Sequence, residues 1–367
     1  CCADAKEKKR SNADFFCYDF RSEKWAEIKQ AGPVPCARAS FAITEGVDRT
    51  IVLSGGTGDG GVLDDIWIYK TDRNQWSKIT PTCQKSSSFY GHSMVQWRGA
   101  LYLYGGCHGG SDYNSEVFRY CLETNTYEKI NTCGDKPSAR YKHQAVVIGD
   151  EMVVTGGGNY KPAPGKMEVF ILNLRSMTWR QINTKSMSGD IPTNCAAHIS
   201  SYDRNSDMIY LHGGFTSNLT RQNTFYSFNI RTLQWVEREP QRVTQPVPSK
   251  KKTAPPARAF HSSALHNGSL FIVGGADGHH RFSDLWKYEI YCQPKSLMEL
   301  SAQALVNKKS ETKTLNKKVS RELLKSMPSF RMIKHAVHPD KGALSLGRDS
   351  LHSRSNSSST HSVVPAS

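Results

Sequence analysis

Along most of this chain the apolar residues come in short runs, and five of those runs end in a glycine doublet. IVLS leads into Gly55–Gly56, LYLY into Gly105–Gly106, MVVT into Gly156–Gly157, IYLH into Gly213–Gly214 and LFIV into Gly274–Gly275. Runs of this length, rich in β-branched and aromatic residues and bounded by glycine, predict buried strands. A large aromatic keeps the same rhythm: Trp25, Trp76, Tyr127, Trp179 and Trp235 stand 51, 51, 52 and 56 residues apart. Seven residues before each lies an apolar partner, Tyr18, Tyr69, Tyr120, Leu172 and Phe228. The segments between, such as YKTDRNQW and FNIRTLQW, predict strand–turn–strand hairpins. A histidine precedes most doublets as well: His92, His143 and His261 by 13 residues, His198 by 15.

A period near 50 residues with several strands per unit predicts a β-propeller. One four-stranded blade cannot bury both of its faces. Stacked radially, blades bury each other, and one aromatic per blade is well suited to fill the interface. Glycine lets two backbones approach where a side chain would not fit. With strands lettered a to d from the axis outwards, residues 15–28 supply only c and d. Four full blades follow, and the last supplies a, b and c. The fold class is therefore all-β: a propeller of about six blades, the first truncated, with a short helical and disordered C-terminal tail. A stretch preceding Cys1 would supply the three absent strands and close the ring. The expected divisions are an N-terminal piece at 1–13, the propeller at 14–292, short amphipathic helices at 293–335 and a Ser-rich tail at 336–367.

The doublets and phased aromatics resemble the kelch family, over residues 14–292. That resemblance implies a rigid disc that binds another protein, with no catalysis and no cofactor. One kelch-fold oxidase class holds copper on Tyr and His, but no partner set for that is visible. The histidines fall at one equivalent position per blade, so they read as structural and no metal site is expected. HExxH, GxSxG and P-loop motifs are all absent from the sequence.

In kelch propellers the d–a and b–c loops share one face. Arg38, Arg140 and Arg258 open strand a there, with Tyr90, Tyr141, Lys142, Tyr160 and Phe260 beside them. Guanidinium groups among aromatics suit an acidic peptide or a terminal carboxylate, which arginine binds bidentately. The competing reading is that these arginines pair with acids of neighbouring loops.

Charge and cysteines refine the picture. The formal net charge is +15, with a marked excess of basic residues after 291. They are scattered, which reads as a solvated tail rather than a nucleic-acid or membrane-binding stripe. No run of 18 apolar residues is present, so no membrane-spanning helix is expected. The ten cysteines include no CxxC pair and read as reduced thiols of a cytoplasmic protein, with the nucleus as a further location.

After the propeller, Ser296 and Glu299 form a capping box. Leu297, Ser301 and Leu305 then share one helical face, with Leu300 beside them. This pattern resembles the box that binds Elongin C in receptors of cullin–RING ubiquitin ligases. The resemblance implies a substrate receptor with Elongin B/C and cullin-2 as partners. Leu323, Leu324 and Met327 stand where such receptors place a cullin-contacting segment, though MPSFRMI fits the cullin pattern poorly. The alternative is a non-degradative kelch adaptor of the leucine-zipper-like regulator type. A Pro/Lys-rich insertion at 240–257 departs from the pattern.

Overall fold

The computed structural model describes residues 13–82, 88–186, 191–239 and 254–290, together with the backbone of the strand Arg242–Thr244. Each apolar run becomes the second strand of an antiparallel meander. Thr50–Ser54 lies between Ala42–Glu45 and Ile66–Lys70, and Gln75–Ile79 takes the outer edge. This is blade II. Blade III (93–130), blade IV (144–181) and blade V (199–237) repeat the order. Blade VI is built on Ser262–His266, Ser269–Val273 and Leu285–Glu289. Among the described residues blade I contributes two strands, Phe16–Asp19 and Lys24–Glu27. The all-β propeller expected from the sequence is thus observed, with five blades, II to VI, and the two-stranded hairpin of blade I among the described residues.

The apolar runs are uninterrupted because each blade has a neighbour on both faces. In blade IV, Met152, Val154, Leu172 and Trp179 pack towards blade III, against Val95, Tyr102 and Tyr104. The alternate residues Val153 and Ile171 pack towards blade V, against Leu211, Phe228 and Trp235. The seven-residue aromatic spacing is a cross-strand register: Tyr69 lies opposite Trp76, Tyr120 opposite Tyr127, Leu172 opposite Trp179 and Phe228 opposite Trp235. In two of these hairpins an asparagine holds the turn at positive φ, Asn74 and Asn125. Its side-chain oxygen accepts from the hydroxyl of Tyr69 or Tyr120. Its Nδ2 donates, at 2.8 Å, to a carbonyl just past the outer strand of the preceding blade, Lys29 or Thr80.

Blades lock together through the doublets. The second glycine donates its N–H to a carbonyl of the next blade: Gly56 to Phe89, Gly106 to Arg140, Gly157 to Cys195 and Gly214 to Arg258, all at 2.8–2.9 Å. On the first glycine sits the next blade's histidine. A β-carbon on Gly55, Gly105, Gly156 or Gly213 would lie 2.6–3.0 Å from Cε1 of His92, His143, His198 or His261. Both glycines hold positive φ, so any other residue would suffer strain as well as collision. The imidazoles are neutral. Burial pushes His92 down to about 4 and His198 to about 3. Burial and the Arg258 charge push His261 to about 3. Burial also takes His143 and His212 well below the ordinary value.

Within three blades an arginine pins the d–a loop to the b–c loop. Arg258 donates to both oxygens of Asp284 at 2.7 and 2.9 Å and to the carbonyls of Gly274 and Pro256. Arg38 does the same with Asp65, Gly55 and Cys36. Arg140 donates to Gly156 and Ser138 and pairs with Glu168 at 3.2 Å. Burial alone would raise the carboxyls of Asp65 and Asp284, but the guanidinium and a tryptophan Nε1–H hold both below the usual range. All three arginines are buried, Arg258 completely at 0% exposure. The expectation that they face a ligand is therefore corrected: their donors are used up inside the blade.

Blade I fills the outer half of the space between blades VI and II. Phe15 meets Tyr69 and Trp76 of blade II at 4.8 and 5.6 Å. Phe20 stacks on His266 of blade VI at 4.3 Å. The outer position of blade VI was expected to come from a preceding stretch. The strand Arg242–Thr244, from the insertion, takes it instead, antiparallel to Leu285–Glu289.

Two outcomes are expected. Arg258→Ala leaves a half-buried carboxylate without its bidentate partner, a loss of about 3–5 kcal/mol by comparison with other broken buried pairs. Urea unfolding reads this directly, and a variant within about 1 kcal/mol of the parent would contradict the pin. The second outcome concerns acid. Five imidazoles bind protons near pH 6.5 when unfolded but not when folded, so stability is full above that value and falls as pH drops towards 4. Each contributes a slope of up to about 1.4 kcal/mol per pH unit. The Tm should drop steeply between pH 7 and 5; a flat profile would show that the rings are not held neutral.

Candidate functional site

The residue before each histidine position forms a ring about the propeller axis. Ser40, Gly91, Lys142, Ala197 and Phe260 all have positive φ, from 54° to 67°. From Gly91 onwards each N–H donates to the carbonyl of its counterpart one blade back: Gly91 to Ser40, Lys142 to Gly91, Ala197 to Lys142 and Phe260 to Ala197, at 2.7–2.9 Å. The sequence puts small residues at three of the five places. Lys142 and Phe260 are the two large side chains, and they meet.

The Lys142 ammonium lies 4.5 Å over the Tyr141 ring, 4.7 Å over Phe260 and 5.9 Å from Phe215. The Arg221 guanidinium lies 5.0 Å over the other ring of the pair, Phe215, and 5.9 Å from Phe260. Tyr141 continues the aromatic wall to Tyr113 and Tyr90, at 5.1 and 6.1 Å between ring centres. Tyr160, 68% exposed, lies near enough to Tyr113 and Tyr141 to act on both phenols electrostatically. Blades III to VI all contribute to one patch, built from the loops that precede the first strand of each blade (Tyr90, Tyr141, Lys142, Phe260) and the loops that follow the glycine doublets (Tyr113, Tyr160, Phe215, Arg221).

Its electrostatics are unusual for a protein surface. Burial, and then the charge of Arg221, bring the Lys142 amine down to about 8. Among the described residues no carboxylate is paired with Lys142. Burial pushes the Tyr141 phenol up to about 12. The Cys107 side chain and burial raise Tyr90. The patch is thus a cation held against aromatic faces in a partly dry setting, where an anion gains more than it would in water. Among the described residues no group of three His, Cys, Asp or Glu side chains is placed to hold a metal ion.

Of the residues read from the sequence, Tyr90, Tyr141, Lys142 and Phe260 come together here, with Tyr160 beside them. Arg38, Arg140 and Arg258 do not take part. Arg221 and Tyr113 were not anticipated. Arg221 sits near the end of its b–c loop, bridged to Phe215, and Arg281 occupies a similar place in blade VI, bridged to Ala276. Those two arginines were the available signal. Leu297, Leu300, Ser301 and Leu305 lie outside the described residues.

Comparison with known proteins agrees with this geometry. The KLHDC2/KLHL20/DRC7 Kelch-repeats domain matches residues 3–188 and 142–314. The chain is 26% identical over 301 residues to Kelch domain-containing protein 10 of Xenopus laevis, covering 79% of this chain and 68% of that protein. Against the human Kelch domain-containing protein 10 the figures are 25%, 79% and 64%. Acyl-CoA-binding domain-containing protein 4 of Arabidopsis thaliana is 24% identical over 266 residues, 69% of this chain and 37% of that one. The chain therefore spans about two thirds of the length of the Kelch domain-containing protein 10 relatives. Kelch propellers of this kind are protein-interaction modules, and by its repeats, its ring of blades and its matched residues the chain belongs to the KLHDC2/KLHL20/DRC7 kelch-repeat family.

Proposed function

We propose that this propeller is the substrate receptor of a cullin–RING ubiquitin ligase, capturing target proteins by an acidic peptide or C-terminal carboxylate at the Lys142 patch. The observation that carries the recognition half is the Lys142 ammonium, half-buried between Tyr141 and Phe260, with Arg221 on the adjoining rings and no carboxylate pairing with Lys142 among the described residues. An incoming carboxylate supplies the missing counter-charge, and the aromatic walls exclude water from the pair. The arginines that the sequence suggested for this task act one layer below, holding the loops that carry the patch. The ligase half rests on the likeness to Kelch domain-containing protein 10 and on the Ser296–Leu305 sequence, whose leucines suit the Elongin C pocket, with Elongin B and cullin-2 completing the assembly.

A library of short peptides with free C-termini, compared with the same peptides amidated, tests recognition. Free-acid peptides should bind, and Lys142→Gln should weaken them about tenfold or more, the value of one charged hydrogen bond. Affinity should also fall as pH rises through 8 and Lys142 loses its proton. Equal binding of both libraries, or no effect of Lys142→Gln, would remove the carboxylate reading. The ligase half is tested separately by Elongin C capture. Burial of one leucine is worth ~1.5–3 kcal/mol, so Leu297→Ala should reduce capture about tenfold or more while the propeller melts normally. Peptide binding without Elongin C capture by the parent chain would leave an adaptor rather than a ligase receptor.

A further inference from the structure

Lys142 and Arg221 share one pair of rings. The Lys142 ammonium lies 4.7 Å from the centre of Phe260 and 5.9 Å from that of Phe215. The Arg221 guanidinium lies 5.0 Å from Phe215 and 5.9 Å from Phe260. The two rings stand 5.7 Å apart. Distances that meet at one ring centre bound the separation of the cations, which is at most about 11 Å. Both side chains are half-buried.

The backbone fixes this separation. The Ala197 N–H donates to the Lys142 carbonyl at 2.8 Å. Its neighbour Ala196 is bridged to Phe215, and Phe215 to Arg221. The Arg221 Nη1 donates to the Leu219 carbonyl at 2.8 Å, which steadies the side chain. Two like charges are therefore held near one another. Burial and then the Arg221 charge make Lys142 easier to deprotonate. The negative faces of the rings offset part of that repulsion.

A ligand with one negative charge relieves half of the repulsion, and a ligand with two relieves both halves. The spacing sets which ligand fits. Each charged N···O contact takes up about 3 Å, which leaves roughly 5 Å between the anionic oxygens of the ligand. That is the reach between the α-carboxylate and the side-chain carboxylate of a single acidic residue. Two acids several residues apart would overshoot it, because extended chain rises ~3.3 Å per residue. We propose that the site reads a chain end whose last residue is Asp or Glu, with the α-carboxylate on Lys142 and the side-chain carboxylate on Arg221. This rests on the carboxylate reading above and makes Arg221 the residue that sets specificity. Its planar fork matches a carboxylate bidentately. An Asn or Gln end of the same shape would cover the guanidinium from water and give it no counter-charge.

The test uses the full 367-residue chain and short peptides of one sequence with free C-termini, ending in Glu, Gln, Asp or Asn. Glu and Asp ends should bind about tenfold or more tightly than Gln and Asn ends, the value of one charged hydrogen bond. The comparison on the parent chain needs no variant, so misfolding cannot mask it. Arg221→Gln should remove the preference for acidic ends but keep that for free acids over amides, and Arg221→Lys should retain most of both. Equal binding of Glu and Gln ends, with free acids still preferred over amides, would overturn this inference and leave the carboxylate reading standing. Loss of the free-acid preference in the parent would remove both. A preference for Glu that survives Arg221→Gln would overturn the assignment of Arg221. Succinate, two carboxylates without a peptide, should bind at least tenfold more weakly than the Glu-ended peptide. Equal affinity would make this a site for small dicarboxylates and overturn the chain-end assignment.

Discussion

The hydrogen bond from the second glycine of each doublet to a carbonyl of the next blade sets the distance at which blades can stack. It brings two backbones so close that neither glycine can carry a β-carbon: on Gly157 one would lie 2.6 Å from the His143 β-carbon. That approach decides the rest. It leaves room for an imidazole and no more, and it forces the imidazole to be neutral. It also brings the inner loops round the axis in a continuous ring, so Lys142 and Phe260 meet although 118 residues separate them in sequence. Between blades II and VI the cores are filled by whatever aromatics the registers supply. The glycine contact fixes the geometry into which they pack.

The propeller was legible because its signals are periodic and local. Tyr69 and Trp76 are seven residues apart because a short turn places residues so spaced directly opposite, and the same spacing recurs in blades I to V. The source of blade VI's outer strand was not legible. Arg242–Thr244 lies in a Pro/Lys-rich insertion with no aromatic to keep the rhythm, and backbone pairing alone brings it to Leu285–Glu289.

The site was half legible, and the reason is instructive. An arginine three residues before a histidine at a loop rim is equally consistent with gripping a ligand and with gripping the loop. What separates the two is an acid after the doublet in the same blade. Asp65, Glu168 and Asp284 stand ten to twelve residues beyond the first glycine of theirs, and each takes the guanidinium. Among the described residues no acid is paired with Lys142, since Glu168 of its blade is taken by Arg140, and its neighbours are rings. Arg221 escaped notice because b–c loops vary in length, so no fixed spacing marks its position. Periodicity reports strands well and reports the tips of loops poorly.

The backbone ring about the axis has an electrical side. Amides bonded head to tail align their dipoles, and a closed circle of them has no ends and so presents no pole. Among the described residues the bonds run from Ser40 to Phe260 without a link between those two, so the row has its negative end at the Phe260 carbonyl and its positive end at the Ser40 N–H. The Phe260 terminal belongs to the residue whose ring lies 4.7 Å from the Lys142 ammonium. The field at the mouth of the channel therefore depends on whether the circle is complete. Closing it would withdraw partial negative charge from beside the cation and leave the mouth more positive towards any anion that approaches.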